Sequence, residues 1–244
     1  IQDGVEEIGN GAFSLCDDAE NGITELKIPA SVKKIGVIAF YKQAYLTTLI
    51  LEDGIEEIGA NAFSWCPLKE VIIPSSIKEI GVDAFKKTEK LVLPSGFKSL
   101  TGRFFSPNVT IQSDEFYIDE FGVGYNKDKT QLLFTTKQIE GAYTIPEGVI
   151  SIAECAFESQ SEMTEVIFPM SLETIEWWSF AFCAGLKEIV LPSNINSIGD
   201  SAFRDCTNLT KATISGQISI DINDVFFRCE NLQTVKLGEK IYQR

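Results

Sequence analysis

The chain has 244 residues, 44% of them hydrophobic, with 35 acids against 21 lysines and arginines, a net charge of −14 and no histidine. That acidity repels phosphate backbones and anionic bilayers, which argues against nucleic acid or membrane surfaces as partners. The lack of histidine removes the commonest general base, a common zinc ligand and the usual pH switch together, and no apolar run approaches the ~20 residues that cross a bilayer.

In chain order, the first feature is Ile1-Gln2-Asp3-Gly4-Val5-Glu6-Glu7-Ile8-Gly9, which parallels Leu51-Glu52-Asp53-Gly54-Ile55-Glu56-Glu57-Ile58-Gly59. The chain therefore opens inside a recurring unit. The pattern Ile-Gly-x-x-Ala-Phe occurs at 8–13, 35–40, 58–63, 80–85 and 198–203. Looser copies are Leu100…Phe104-Phe105, Ile152…Phe157, Ile175…Phe180 and Val225-Phe226. Nine of the 17 phenylalanines thus share one column, and the last four, Phe157, Phe180, Phe203 and Phe226, are spaced by 23 residues.

After each Phe comes a polar turn and then a short alternating run closed by proline. Examples are Leu26-Lys27-Ile28-Pro29, Leu91-Val92-Leu93-Pro94, Val166-Ile167-Phe168-Pro169 and Ile189-Val190-Leu191-Pro192. Alternation with period two predicts a strand with one face inward, and proline ends it because it has no N–H for the ladder. A second extended stretch, as in Ile77-Lys78-Glu79-Ile80, leads to the glycine, and the Ala-Phe segment is too short for an independent helix. One such unit cannot bury its own Phe, but stacked units can. The expected fold is a β-rich solenoid of about nine ~23-residue coils with a parallel sheet on one face. It is read as one continuous domain, with a first repeat block over 1–111, a β-hairpin insert over 112–141 and a second block over 142–244. Neither end carries the polar cap that such an array needs, which marks the chain as a fragment or as covered at its ends in another way.

Candidate chemistry is sparse. Cys16, Cys66, Cys183, Cys206 and Cys229 all follow a column Phe by three residues, and only Cys155 falls elsewhere. A repeated column of cysteine reads as small buried packing residues; a disulfide between neighbouring coils is the second reading, with metal binding or catalysis far behind. The pairs Glu6-Glu7 and Glu56-Glu57 belong to columns where Glu6, Lys33, Glu56 and Lys78 alternate in sign, so neighbouring coils relieve like-charge stacking. In the insert, Asp119, Glu120 and Asp128 fit no EF-hand spacing and read as solvated turn residues. No catalytic residue, metal ligand or cofactor site is assigned.

Two surface features remain. The outward strand column holds Lys27, Ile50, Ile72, Val92, Thr144, Ile167, Val190, Thr213 and Lys236, with Glu70 and Glu188 in the charged column beside it. An apolar stripe flanked by charge suits a protein-binding face; β-branched residues favouring strands is the competing explanation. Trp177 and Trp178 replace small corner residues. One is expected on the surface, where it could stack on a sugar or anchor a protein, unless the pair only repairs an irregular corner.

The motif Ile-Gly-x-x-Ala-Phe, then Cys, then Leu-x-x-Val-x-Ile-Pro, resembles the BspA-like leucine-rich repeats of bacterial surface proteins over almost the whole chain, and the segment 116–130 resembles a hairpin common between blocks of such repeats. Glu176-Trp177-Trp178 and the shortened repeat around Phe105, Val109 and Ile111 depart from the pattern. The resemblance implies a right-handed leucine-rich-repeat array that is not an enzyme, placed outside the cell on a bacterial surface with its leader and anchor beyond this chain. It implies adhesion or recognition of an extracellular or cell-surface protein through the sheet face. Alternatives are a glycan-binding module using Trp177 and Trp178, or a structural spacer.

Overall fold

The computed structural model describes residues 1–14, 22–97, 110–216 and 218–243. Cys16 and the repeat elements expected at Leu100, Phe104, Phe105 and Val109 lie outside the described residues. The chain divides into two compact units, Ile1–Phe116 and Tyr117–Arg244. Each is a parallel β-solenoid, with about nine coils between them and almost no helix.

Most described coils carry a long strand and a short one. In the first unit the long strands form two ladders, Glu25–Ile28 with Thr48–Leu51, and Glu70–Ile72 with Lys90–Val92 and Thr110–Gln112. Their burial alternates as the sequence requires: Leu26 and Ile28 point inward, Glu25 and Lys27 outward. The short strands Glu7–Ile8, Lys34–Ile35, Glu57–Ile58 and Glu79–Ile80 form a second parallel sheet. Lys78 meets Glu56 at 2.5 Å and Lys34 meets Glu57 at 2.6 Å, so the alternating charges do pair between coils. Lys33 instead donates to the carbonyls of Ala30 and Gly54.

The second unit repeats this plan. Long strands Gly141–Thr144 and Met163–Ile167 make one ladder; Glu188–Leu191, Lys211–Ile214 and Thr234–Leu237 make another, bordered by the antiparallel strand Lys240–Gln243. Short strands Ser151–Ile152, Thr174–Ile175 and Ser197–Ile198 continue from Gln131–Thr135, which pairs antiparallel with Val123–Asn126. Proline closes most long strands, and its carbonyl accepts from the residue three further on, as Pro192 does from Ile195 at 3.4 Å.

The phenylalanine column is the spine of both cores. Phe13, Phe40, Phe63 and Phe85 stack with centroids 5.1, 5.1 and 5.6 Å apart. Phe157, Phe180, Phe203 and Phe226 do so at 4.9, 5.1 and 5.5 Å. Apart from the exposed Phe13 these rings are fully buried.

The chain turns around each ring through left-handed residues on both sides of it, nearly all of them not glycine. The residue two before the ring has a left-handed backbone in Gly11, Ile38, Asn61, Asp83, Cys155, Trp178 and Ser201. The residue two after it does likewise in Lys42, Trp65, Lys87, Ser159, Phe182, Asp205 and Arg228. This alternation points every second N–H group the same way, into the next coil: Ile38 donates to Ala60, Phe40 to Ala62 and Lys42 to Ser64, at 2.9, 2.7 and 2.9 Å. The corner is thus a third hydrogen-bonded ladder. The Ile-Gly glycines serve close approach instead: a Cβ on Gly59 would lie 2.6 Å from the Val37 nitrogen, and one on Gly81 2.3 Å from that of Ala60. Among the described residues only the coil of Phe226 enters its ring differently, through one helical turn, Ile222–Val225, capped by the Asp221 carboxylate.

Ile38 shows the strain of this corner, because a β-branched side chain disfavours a φ of 51° by about 1–2 kcal/mol. Its side chain is exposed, so little packing is at stake. Ile38→Asn, the residue at the equivalent position 61, should raise stability by about 0.5–1 kcal/mol, read as a higher thermal midpoint.

Candidate partner-binding face

Within each ladder, strand register brings the outward residues into line. Lys27 pairs with Ile50, Ile72 with Val92, Thr144 with Ile167, Val190 with Thr213, and Thr213 with Lys236. Ile72 and Val190 are 63% and 59% exposed, large values for β-branched side chains on a sheet, and Ile50 and Ile167 are exposed as well. Val92 and Thr213 are half-buried. In the adjoining column Glu70 lies 2.7 Å from Lys90 and Glu188 3.4 Å from Lys211. Lys27 meets Glu52 at 2.7 Å; that carboxylate raises the lysine pKa, and the lysine holds Glu52 below the usual range.

In the second unit this face is not flat. The two long-strand ladders part between Met163–Ile167 and Glu188–Leu191, and an open groove of about 750 Å³ runs there. Ile167, Val190 and Pro192 line it, with Met170, an exposed residue absent from the sequence-based column. The register of the column follows from repeat alignment, whereas the groove depends on where a ladder breaks.

The tryptophans separate. Trp177 is 57% exposed and rests on the next coil, where a Cβ on Gly199 would lie 2.3 Å from its Cδ1. Trp178 takes a left-handed position and is half-buried, with the Arg204 guanidinium 5.1 Å from its ring centre; the same guanidinium lies 4.8 Å from the Phe227 ring.

The cysteine column has a specific role that packing alone did not reveal. Cys66, Cys183, Cys206 and Cys229 each donate a thiol hydrogen bond to the carbonyl of the Phe one coil before, at 3.1, 3.1, 3.2 and 2.9 Å. Gln43 occupies the same column and donates to the Phe13 carbonyl through its amide. The position thus wants a donor, which cysteine and glutamine share and alanine lacks. Thr88 fills it too, and its buried hydroxyl finds no partner. All described cysteines are buried thiols. Burial pushes the Cys66 thiol up to about 12, opposite to what a nucleophile needs.

The turn acids need one correction. Asp119 is half-buried rather than solvated: it accepts from the N–H groups of Phe121 and Val123, each at 2.9 Å, and from the Tyr143 hydroxyl at 2.6 Å. That hydroxyl also bonds the Tyr125 hydroxyl inside the core. Asp128 does turn the hairpin, through Thr130. Among the described residues no group of His, Cys, Asp and Glu is arranged to hold a metal, and no helix is long and apolar enough to cross a membrane.

Comparison with known proteins follows the same lines. Residues 6–121 and 132–243 match the family described as BspA type leucine rich repeat region, in 6 copies. The fold is similar to that of a leucine-rich repeat protein from Eubacterium ventriosum, at 22% identity and a TM-score of 0.76 over 97% of this chain and 64% of that one. It is also similar to the pneumococcal vaccine antigen PcpA, at 24% identity and a TM-score of 0.52 over 97% and 74%. Identities this low speak to the fold alone, and the chain spans 64% of the Eubacterium ventriosum protein's length. No curated protein matches the sequence. Since the match takes in nearly all of both units, and their stacked rings carry its spacing, the chain belongs to the BspA-type leucine-rich repeat family.

Proposed function

We propose that this chain is a non-enzymatic recognition scaffold of a bacterial cell surface, binding an extracellular or cell-surface protein through the long-strand face. The observation that carries the reading is the exposure of Ile50 and Ile72 on the long strands of the first unit and, in the second unit, of Ile167 and Val190, which line the groove with Met170. A row of solvated β-branched side chains ringed by ion pairs has the composition of an interface centre with a polar rim. Membership of the repeat family supports a scaffold role, and the absence of histidine from the sequence supports the non-enzymatic part.

The test is capture of a surface protein from host or neighbouring cells by the chain, followed by measured affinity for that partner. Ile167→Asp with Val190→Asp should weaken binding by at least about tenfold, since a charge in the apolar centre removes contacts at the best-packed part of an interface. Ile72→Asp applies the same test to the first unit. Undiminished affinity in both variants would remove the sheet face from the account, and capture of nothing would favour a spacer.

A further inference from the structure

The chain covers its tryptophans with its own cations, with one exception. Lys87 lies 4.6 Å from the centre of the Trp65 ring, and Arg204 5.1 Å from that of Trp178. Trp177, the most exposed of the three, has no such cation among the described residues. Its neighbours carry the opposite charge. The pairing of Ile152 with Ile175, and of Ile175 with Ile198, sets Glu154, Trp177 and Asp200 in one column, each two residues beyond its strand. Adjacent coils are ~4.8 Å apart, so Glu154 and Asp200 are the column neighbours of Trp177 on either side, and Glu176 precedes it in the chain. All three carboxylates are exposed, and none forms an ion pair among the described residues. The nearby arginines bring no relief, because Arg204 and Arg228 are both held by Asp205, at 2.9 and 3.2 Å.

An indole seated on the Gly199 backbone and otherwise open to water, with uncompensated carboxylates on either side, has the electrostatics of a cation acceptor. The ring face carries negative potential, and the carboxylates add full charge around it. The geometry points to Trp177 as the landing site for a lysine or arginine side chain from a basic protein segment, with Glu154, Glu176 and Asp200 balancing its charge. This site lies beyond the short strands, on a different part of the coil from the long-strand face, and stands or falls separately from it. Charge complementarity selects the partner: a basic segment approaches a chain of net charge −14 favourably, whereas an acidic one is repelled.

The test is titration of the whole chain with hexalysine while following the indole N–H resonances by NMR, the Trp177 signal being the one missing from Trp177→Leu. That signal should shift saturably. Trp177→Leu should weaken hexalysine binding at least about twofold, the lower end of what a cation–π contact contributes. Glu154→Gln with Asp200→Asn should weaken it further and flatten its salt dependence. Every variant alters an exposed side chain, and unchanged circular dichroism checks the fold. Equal affinity in Trp177→Leu would reduce the effect to diffuse attraction and overturn the site. So would an unmoved Trp177 signal, or a shift with neutral cellotetraose and none with hexalysine, the last pointing to a glycan.

Discussion

Phe180→Ala should lower the free energy of unfolding by about 3–5 kcal/mol, the range for emptying a fully buried aromatic position. The ring lies between Phe157 at 4.9 Å and Phe203 at 5.1 Å, and Phe168 meets it edge-on at 5.5 Å. Removing it opens two ring-on-ring contacts together. The backbone around it cannot close the gap, because the Phe180 N–H is tied to the Ala202 carbonyl at 2.8 Å and the Phe180 carbonyl accepts the Cys206 thiol at 3.2 Å. In a solenoid each coil draws its stability mainly from its neighbours, so the loss falls on both sides of the vacancy. Phe13→Ala is the contrast: that ring is exposed and should cost much less. Urea unfolding followed by circular dichroism measures both. Equal costs at 13 and 180 would mean that the column is not the spine described here.

The second large effect is alkaline. Burial raises the thiol of Cys66 to about 12 and that of Cys183 above its ordinary range. Cys206 is raised by its hydrogen bond with Cys229 and by burial. Tyr125 and Tyr143 are raised by burial first, with their link to Asp119 adding to it. In the unfolded chain cysteine ionises near pH ~8.5 and tyrosine near ~10. The folded state holds these protons longer, so its stability is full below pH ~8.5 and falls as pH rises toward the folded values. Each group contributes a slope of up to about 1.4 kcal/mol per pH unit within its own window. Urea midpoints measured from neutral pH upward should therefore drop steeply above about pH 9. Cys183→Ala should flatten that slope relative to its own neutral value, which separates the thiol from the growing negative charge of the whole chain. An unchanged slope in that variant would mean that the thiols ionise as freely folded as unfolded.

What could be read from the sequence was whatever the repeat writes in side-chain type. The Phe column, the alternating strands and the register from Lys27 to Ile50 or from Val190 to Thr213 follow from polarity at fixed spacing, and the coordinates place them so. The left-handed corners were not legible, because Ile38, Trp178, Lys42 and Phe182 are residue types that rarely signal that conformation. Here inter-coil hydrogen bonds override local preference. The donor role of the cysteine column was half visible: the column was plain, but its hydrogen bonding shows only once Gln43 is seen in the same place, donating to the Phe13 carbonyl. Asp119 was misjudged because its partner, Tyr143, lies 24 residues away and outside any repeat column. The groove at Ile167 and Val190 depends on a break between two ladders, which no spacing announces.

The corner ladder also bears on how such a chain can grow. Within each unit, a coil offers amide hydrogens on one side of its ring and carbonyls on the other, as Phe40 does toward Ala62 and Ala39 toward Phe13. A stretch of DNA copied in tandem by one whole period would bring a matching plug and socket with it, and the lengthened protein would need no compensating substitution. A copy out by a few residues would leave those amides facing nothing, which gives selection a reason to keep spacings such as 157, 180, 203 and 226 intact while the outward side chains drift.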